Sequence, residues 1–369
     1  MSAVITLSLC GDVMLGRGVD QILPHPGDPA LREAYVSSAR TYVALAESVN
    51  GPIPQPADYA YVWGDALAEW RRLAPDARIV NLETGITTSR DYAPKGIHYK
   101  MNPRNIACLT AAGIDCCALA NNHVLDFGAR GLIETLDSLA AAGIRSAGAG
   151  RDAQAAAAPA AIPLGHGGRV LVFAFATTSS GVPREWAAGA GRPGVNLLRD
   201  LSERTLSAIA TRARRARRPG DILVASIHWG GNWGYGIADR EVRFAHALID
   251  AAGFDVVHGH SSHHPKAIEI YRERPILYGC GDFLNDYEGI SGYQAFRGEL
   301  ALLYAPRLAA ATGRLVDFVL SPFRIRRLRL ERADAEDRAW LCALLDRESA
   351  RFATRVLPAE EGALRVRPR

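Results

Sequence analysis

The 369-residue sequence predicts an α/β protein, a sheet with helices on its faces, and three observations carry that reading. Short apolar runs alternate with longer amphipathic stretches along most of the chain. Each run stops, within a residue or two, at a cluster of polar side chains, the place where strands of an α/β sheet present chemistry. The densest cluster follows Phe254, Val256 and Val257 and contains His258, His260, His263 and His264 before Pro265 ends the segment. Four of the ten histidines thus share one loop, and histidine is both a common metal ligand and a proton carrier near neutral pH.

Taken in order, Val4–Cys10 reads as a strand that meets a turn at Gly11-Asp12. Residues 21–60 are proline-rich and weakly periodic, so an irregular insertion around one helix at Pro29–Val49 is expected, of the kind that covers a site. Tyr59, Tyr61, Trp63 and Trp70 enter an amphipathic helix, as core or as a pocket wall. Arg78–Leu82 is the second strand, ending in Asn81-Leu82-Glu83-Thr84. A helix at Pro103–Ala112 precedes a strand at Ile114–Leu119, which delivers Asn121-Asn122-His123, with Asp126 close behind. Ala129–Ala142 is a helix stopped by Gly143. Strands follow at Val170–Ala176 and Ile222–Ile227, the latter ending in His228-Trp229-Gly230, with a helix at Leu201–Arg218 between them. Val242–Ala252 is a helix leading to the histidine strand, and Pro275–Tyr278 reaches Gly279-Cys280-Gly281-Asp282. Glu299–Tyr304 and Leu315–Leu330 read as antiparallel strands and Ala335–Phe352 as a closing helix. The simplest division is one domain over 1–330 and a C-terminal helical extension over 331–369.

Composition narrows the function. Hydrophobic residues make up 48% and charged residues 22%, with a formal charge of +4, an ordinary globular profile. Arg212–Arg218 is rich in arginine but has no interleaved aromatics to stack on bases, so it reads as the solvated end of a helix, and no nucleic-acid partner is expected. No basic n-region or long apolar run marks a signal peptide, and no window approaches the ~20 apolar residues of a membrane span. The expected location is cytoplasmic or peripheral to the membrane. The six cysteines show no C-x-x-C pair and are expected as free buried thiols.

Five strand ends carry Asp12, Asn81 with Glu83, Asn122 with His123, His228, and His260 with His263. Carboxylate, carboxamide and imidazole together form the ligand set of a divalent cation such as Mn, Zn, Fe, Mg or Ca. Asp12, Asn81, Glu83, Asn122, His228 and His260 are the candidate ligands. Asn81 and Glu83 stand as alternatives for one position.

The segments Gly-Asp-Val-Met-Leu-Gly-Arg (11–17), Asn-Leu-Glu-Thr (81–84), Ala-Asn-Asn-His-Val-Leu-Asp-Phe-Gly (120–128), His-Trp-Gly (228–230), Gly-His-Ser-Ser-His (259–263) and Tyr-Gly-Cys-Gly-Asp-Phe (278–283) resemble the CapA family of poly-γ-glutamate (capsule) synthesis proteins. That family is similar in turn to calcineurin-like metallophosphoesterases, so the resemblance implies a four-layer α/β/β/α sandwich with a metal centre at the strand tips. It also implies a substrate that is a polyglutamate or peptide-like polyanion, and an amide-ligase partner. Two phosphoesterase ligand positions are occupied by Met14 and Ser262, and a thioether is a poor ligand for a hard cation. One divalent cation is therefore expected, not two. His123 oriented by Asp126, and His263 near Asp12, are the candidate acid/base groups, and Arg17, Lys266 and Arg297 the candidate substrate-binding cations. Some CapA-like proteins are lasso-peptide epimerases, so a metal-dependent peptide Cα epimerase is the alternative, followed by a phosphoesterase or a binding module without turnover.

Overall fold

The computed structural model describes residues 3–165 and 167–369. Two large sheets organise it. In the ten-stranded sheet, Val4–Val13 lies centrally, with Ala77–Leu82, Cys116–Ala118 and Arg145–Ala147 parallel on one side and the antiparallel Leu300–Ala309 and Leu315–Arg326 on the other. The short strand Asp282–Leu284 runs parallel to the tip of Val4–Val13. In the six-stranded sheet, Arg169–Ala176, Ile222–His228, Val256–His260 and Arg274–Leu277 are mutually parallel, flanked by the antiparallel Ala160–Pro163 and Ile268–Tyr271.

The burial pattern follows from the sequence. Arg169–Ala176 and Ile222–His228 are buried almost throughout, as continuous apolar strands covered on both faces should be. Alternate residues of one strand enter different cores. Val170, Val172 and Ala174 pack with Leu7, Leu9 and Ile79 of the large sheet. Leu171, Phe173 and Phe175 pack with Ile209 and Phe244 of the helices Glu203–Ala216 and Asp239–Asp250. The two sheets therefore face each other, and helices cover the far face of the smaller one.

Local chemistry sets the element ends. Ser202 accepts from the Thr205 amide at the start of Glu203–Ala216, whose last turn carries Arg214 and Arg215, both favourable to the helix dipole. The expected helix at Pro29–Val49 is shorter, Arg40–Asn50, because the prolines upstream hold the chain irregular. Pro103–Ala112 divides into a 3₁₀ turn and Ala107–Ala111. The segment Leu315–Leu330 is a hairpin, turning at Arg327 and Leu328, both at positive φ. No glycine or asparagine announces that turn, and the Glu288 carboxylate holds it by accepting from both amides at 2.7 and 2.6 Å. Residues 331–369 contain the expected helix, Ala335–Ser349, but also a hairpin, Thr354–Pro358 and Leu364–Pro368, whose second strand pairs with Leu315–Arg326. The C-terminal segment is therefore stitched into the large sheet.

All six cysteines are free. Among the described residues, no helix is long and apolar enough to cross a membrane.

Candidate functional site

Strand register builds the site. Asp12 stands opposite Asn81 on one side and Asp282 on the other, while His228 stands opposite His260 in the smaller sheet. A row of Asn81, Asp12 and Asp282 thus meets a pair of histidines between the two sheets, at the C-terminal ends of their strands except for Asp282, which opens Asp282–Leu284. Register shifts on both sides of Asp12 mark a bulge, the usual device for re-aiming a side chain. Gly11 is obligatory there, since a Cβ would lie 1.8 Å from the Gly281 carbonyl oxygen.

The hydrogen-bond network, with the Asn122 amide oxygen toward His228, assigns the histidine tautomers. Burial holds the His258 imidazole down at about 4, so it is neutral. Its Nε2 donates to the Cys10 carbonyl at 2.9 Å, which leaves Nδ1 a lone pair that Ser226 Oγ, 3.2 Å away, donates to. Ser226 Oγ must then accept from His260 Nε2 at 2.8 Å. Separately, His228 Nε2 donates to Asn122 Oδ1 at 2.9 Å. Both remaining nitrogens, His228 Nδ1 and His260 Nδ1, are therefore lone pairs, and they face each other at 2.8 Å. Burial holds both rings well below the usual imidazole range, so a proton shared between them is disfavoured. A cation removes the conflict. Asp12 completes the arrangement, its ligand atom lying within 4.8 Å of both imidazole donors. Asp12 Oδ1 accepts from Asn81 Nδ2 at 2.8 Å, while Oδ2 is buried without a donor. These residues fit a divalent cation.

Asn81 and Glu83, the two alternatives for one position, differ in their surroundings. Asn81 is committed, donating to Asp12 and accepting from Asn121 Nδ2 at 3.2 Å. Glu83 Oε1 instead lies 3.8 Å from His123 Nε2 and 3.9 Å from His228 Nε2. Burial, then the neighbouring Asp12 carboxyl, pushes Glu83 well up. Asn122 orients His228 through the bond described. Met14 Sδ accepts from the Gly16 amide at 3.2 Å.

His123 and Asp126 are paired as expected, with Nδ1 2.7 Å from Asp126 Oδ2. The sequence reading missed Lys95, whose Nζ reaches Asp126 Oδ1 at 2.7 Å and the Asn122 carbonyl at 2.5 Å. Burial first, then Lys95, holds His123 well below its ordinary value. Tyr99 stacks on the His123 ring at 3.9 Å between centroids and donates its amide to Asp126. His263 Nδ1 lies 3.0 Å from Asp282 Oδ1, and its Nε2 faces the Asn232 amide at 3.1 Å. Both ring nitrogens of His263 are thus engaged. His264 is buried against Trp233 and Phe296, away from the donor cluster.

The three expected substrate cations are occupied. The Arg17 guanidinium is buried between Asp286, Glu33 and Tyr42. Arg297 pairs with Glu299 and Asp337. Lys266 is buried, its Nζ 3.5 Å from the Gly231 carbonyl. Each sits near the site in sequence, but spacing cannot reveal the acidic partners that Asp286, Glu33 and Asp337 bring to Arg17 and Arg297 from elsewhere in the chain.

His263, Asn285 and Tyr99 border a cavity of about 1050 Å³ walled by Tyr42, Trp233, Tyr287 and Tyr293, with Arg324 and Arg326 at its edge. From the 21–60 insertion, Tyr35, Tyr42 and Val49 line this cavity. Trp63 and Trp70 are core instead, donating to the Cys108 carbonyl and Ser8 Oγ.

Comparison with known proteins agrees with the resemblance drawn from the motifs. Residues 6–287 match the family model described as bacterial capsule synthesis protein PGA_cap. A protein of Mycobacterium tuberculosis named probable polyglutamine synthesis accessory protein is 52% identical over 99% of this chain and 96% of its own. The PGA biosynthesis protein CapA of Bacillus subtilis is 27% identical over 77% of this chain and 64% of its own, and the capsule biosynthesis protein CapA of Bacillus anthracis 25% over 76% and 60%. A hypothetical protein from Thermus thermophilus has a solved structure that covers 87% of this chain and 99% of its own at 14% identity, with a TM-score of 0.44, too low to carry a fold argument. From motifs and matches together, the chain belongs to the bacterial capsule synthesis protein PGA_cap family.

Proposed function

We propose that this chain is an accessory protein of polyglutamate-type polyamide synthesis, working beside an amide ligase and holding a divalent cation against a peptide-like polyanion. The names of its relatives support the biological role. The two Nδ1 lone pairs facing each other at 2.8 Å carry the chemical one. We assign the first-rank ligands as His228, His260 and Asp12, with Glu83 beside them. The architecture is read as the metallophosphatase-type four-layer sandwich, two facing sheets between helical layers.

A divalent cation held by these residues would polarise an amide carbonyl or acidify a water. The chain's own residues do the rest. His123 donates Nδ1–H to Asp126, which leaves Nε2 a lone pair directed toward Glu83 and the site, the state of a general base. Lys95 and the Tyr99 amide hold Asp126 from its other contacts. The aromatic cavity suits the methylene segments of a γ-linked chain, and Arg326 at its edge, half-exposed with Glu331 no nearer than 3.8 Å, suits a carboxylate, which arginine binds with paired hydrogen bonds.

The test offers oligo-γ-glutamate, short peptides, aryl phosphates and phosphodiesters to the protein with Mn²⁺, Zn²⁺, Mg²⁺ or Ca²⁺. Cation-dependent binding or processing of the polyglutamate is expected. Phosphate-ester turnover at ordinary enzyme rates, abolished by Asp12→Asn, would replace this reading with the phosphoesterase one, and inversion at a peptide Cα would replace it with the epimerase.

A further inference from the structure

Tyr99 and Tyr287 reach the cavity from distant segments, and their hydroxyl oxygens meet at 2.7 Å. Burial pushes both phenols above the ordinary tyrosine value, so the pair carries two protons. One of them lies in the shared bond. Among the described residues, neither hydroxyl has a further hydrogen-bond partner, so the second proton has no acceptor on the protein. We infer that the Tyr99–Tyr287 pair is a substrate-recognition element, donating this second proton to a carboxylate oxygen of the chain that occupies the cavity.

The pair is tied into the site from both ends. The Tyr99 ring stacks on His123, and its amide donates to Asp126, the carboxylate that holds His123. The Tyr287 ring meets His263 edge-on, with 5.5 Å between centroids. Its amide donates to Asn285 Oδ1 at 3.0 Å, while Asn285 Nδ2 holds Asp282, the partner of His263. The two phenols therefore bridge the His123 and His263 halves of the site along the cavity wall. Arg17 backs them, its guanidinium carbon 4.8 Å from the Tyr99 ring centroid and 5.8 Å from that of Tyr287. Asp286 and Glu33 neutralise that charge, so Arg17 positions the rings through cation–π contact and leaves substrate recognition to the hydroxyls.

A carboxylate is the acceptor that fits best. A phenol whose oxygen already accepts a hydrogen bond is a polarised donor, and a charged acceptor makes the stronger bond with it. Without a ligand, water takes the free proton. A chain that displaces this water must supply an acceptor or leave a donor unpaired. Tyr99 is 5% exposed and Tyr287 more so, which assigns the outward proton to Tyr287 and the inward one to Tyr99.

This inference rests on the polyglutamate reading of the cavity, and the test separates the two. The full chain with Mn²⁺ is titrated with a fluorescently labelled γ-glutamate oligomer, and with the same oligomer after its α-carboxylates are converted to carboxamides, anisotropy being the readout. Tyr287→Phe keeps the ring and its packing. It should weaken the acid oligomer by roughly 10–100-fold and the amidated one by roughly 2–10-fold. Tyr99→Phe should cost less than Tyr287→Phe, and the double variant should fall short of the product of the two losses, because the hydroxyls act as one donor. Undiminished binding of the acid oligomer by Tyr287→Phe overturns the role of the pair while the polyglutamate reading stands. Equal losses for the two oligomers would put an amide carbonyl at the pair and overturn the carboxylate assignment. Wild type that binds neither oligomer overturns the polyglutamate reading, and this inference with it.

Discussion

The two sides of Asp12 are built differently. On one side, His228 and His260 are the last residues of adjacent parallel strands, aligned by register, and a chain of hydrogen bonds from Cys10 through His258 and Ser226 fixes one ring completely. On the other, His263 lies in a loop, beyond the φ 107° residue Ser261, while Asp282 opens a three-residue strand directly after Gly281 at φ 76°. Donors on strand ends are positioned by the pairing that makes the sheet. Donors on loops are positioned by backbone conformations that each need their own support.

Gly11→Ala should damage both sides at once. Its Cβ would collide with the Gly281 carbonyl, forcing apart the strands that carry Asp12 and Asp282, at a cost of about 3 kcal/mol. Urea unfolding would report the loss, and retention of wild-type stability would show that the strand tips are looser than described. His260→Ala should act on the strand side alone, lowering cation affinity by more than about a hundredfold, because a methyl group cannot replace an imidazole donor. Calorimetric titration with Zn²⁺ is the check; unchanged affinity would move the cation seat elsewhere.

His123→Asn tests a residue assigned to chemistry and not to the ion. Turnover should fall by roughly 10²–10⁴ with metal content unchanged. Loss of the metal as well would make His123 a ligand. Ser226→Ala breaks the hydrogen-bond chain behind His260 and should weaken cation binding by roughly 10–100-fold, read by the same titration, whereas unchanged affinity would show that the chain does not hold His260 in place.

The smallest effect lies in the scaffold, at Glu69. Burial alone would push its carboxyl up, but hydrogen bonds from Arg72, Ser321 and Arg332 reverse that and hold it at about 2. A depressed folded value means stability that is fully present above the ordinary carboxyl value of 4.5 and is lost as pH falls toward 2. Arg72 and Arg332 are 41% and 43% exposed, so screening limits the contribution to about 1–2 kcal/mol. Glu69→Gln should lower stability by that amount at pH 7 and by progressively less below pH 4.5, with metal binding at neutral pH untouched.

The same contrast explains what could be read from the sequence. His228, His260, Asp12 and the Asn122-His123 pair each follow an apolar run, so alternation and strand ends reveal them. Asp282 also follows a strand, Arg274–Leu277, but it was not among the candidate residues, because four residues of turn hide its register with Asp12. Lys95 lies in an irregular stretch without periodicity, and only the folded chain brings it to Asp126. Arg17 was misleading for the opposite reason: its neighbours in sequence suggest a free cation near the site, while Asp286 and Glu33 arrive from distant segments to occupy it. The hairpin at Arg327 and Leu328 escaped because a distant carboxylate, Glu288, supports a turn that local composition does not signal.

The central claim is that His228 Nδ1 and His260 Nδ1 are lone pairs directed at a cation. Crystals grown with Mn²⁺ and measured at the manganese absorption edge test it directly. The account predicts an anomalous peak bonded to both Nδ1 atoms and to the Asp12 carboxylate. A fully occupied peak that avoids both imidazoles, or no peak in protein shown to bind Mn²⁺ in solution, would contradict it.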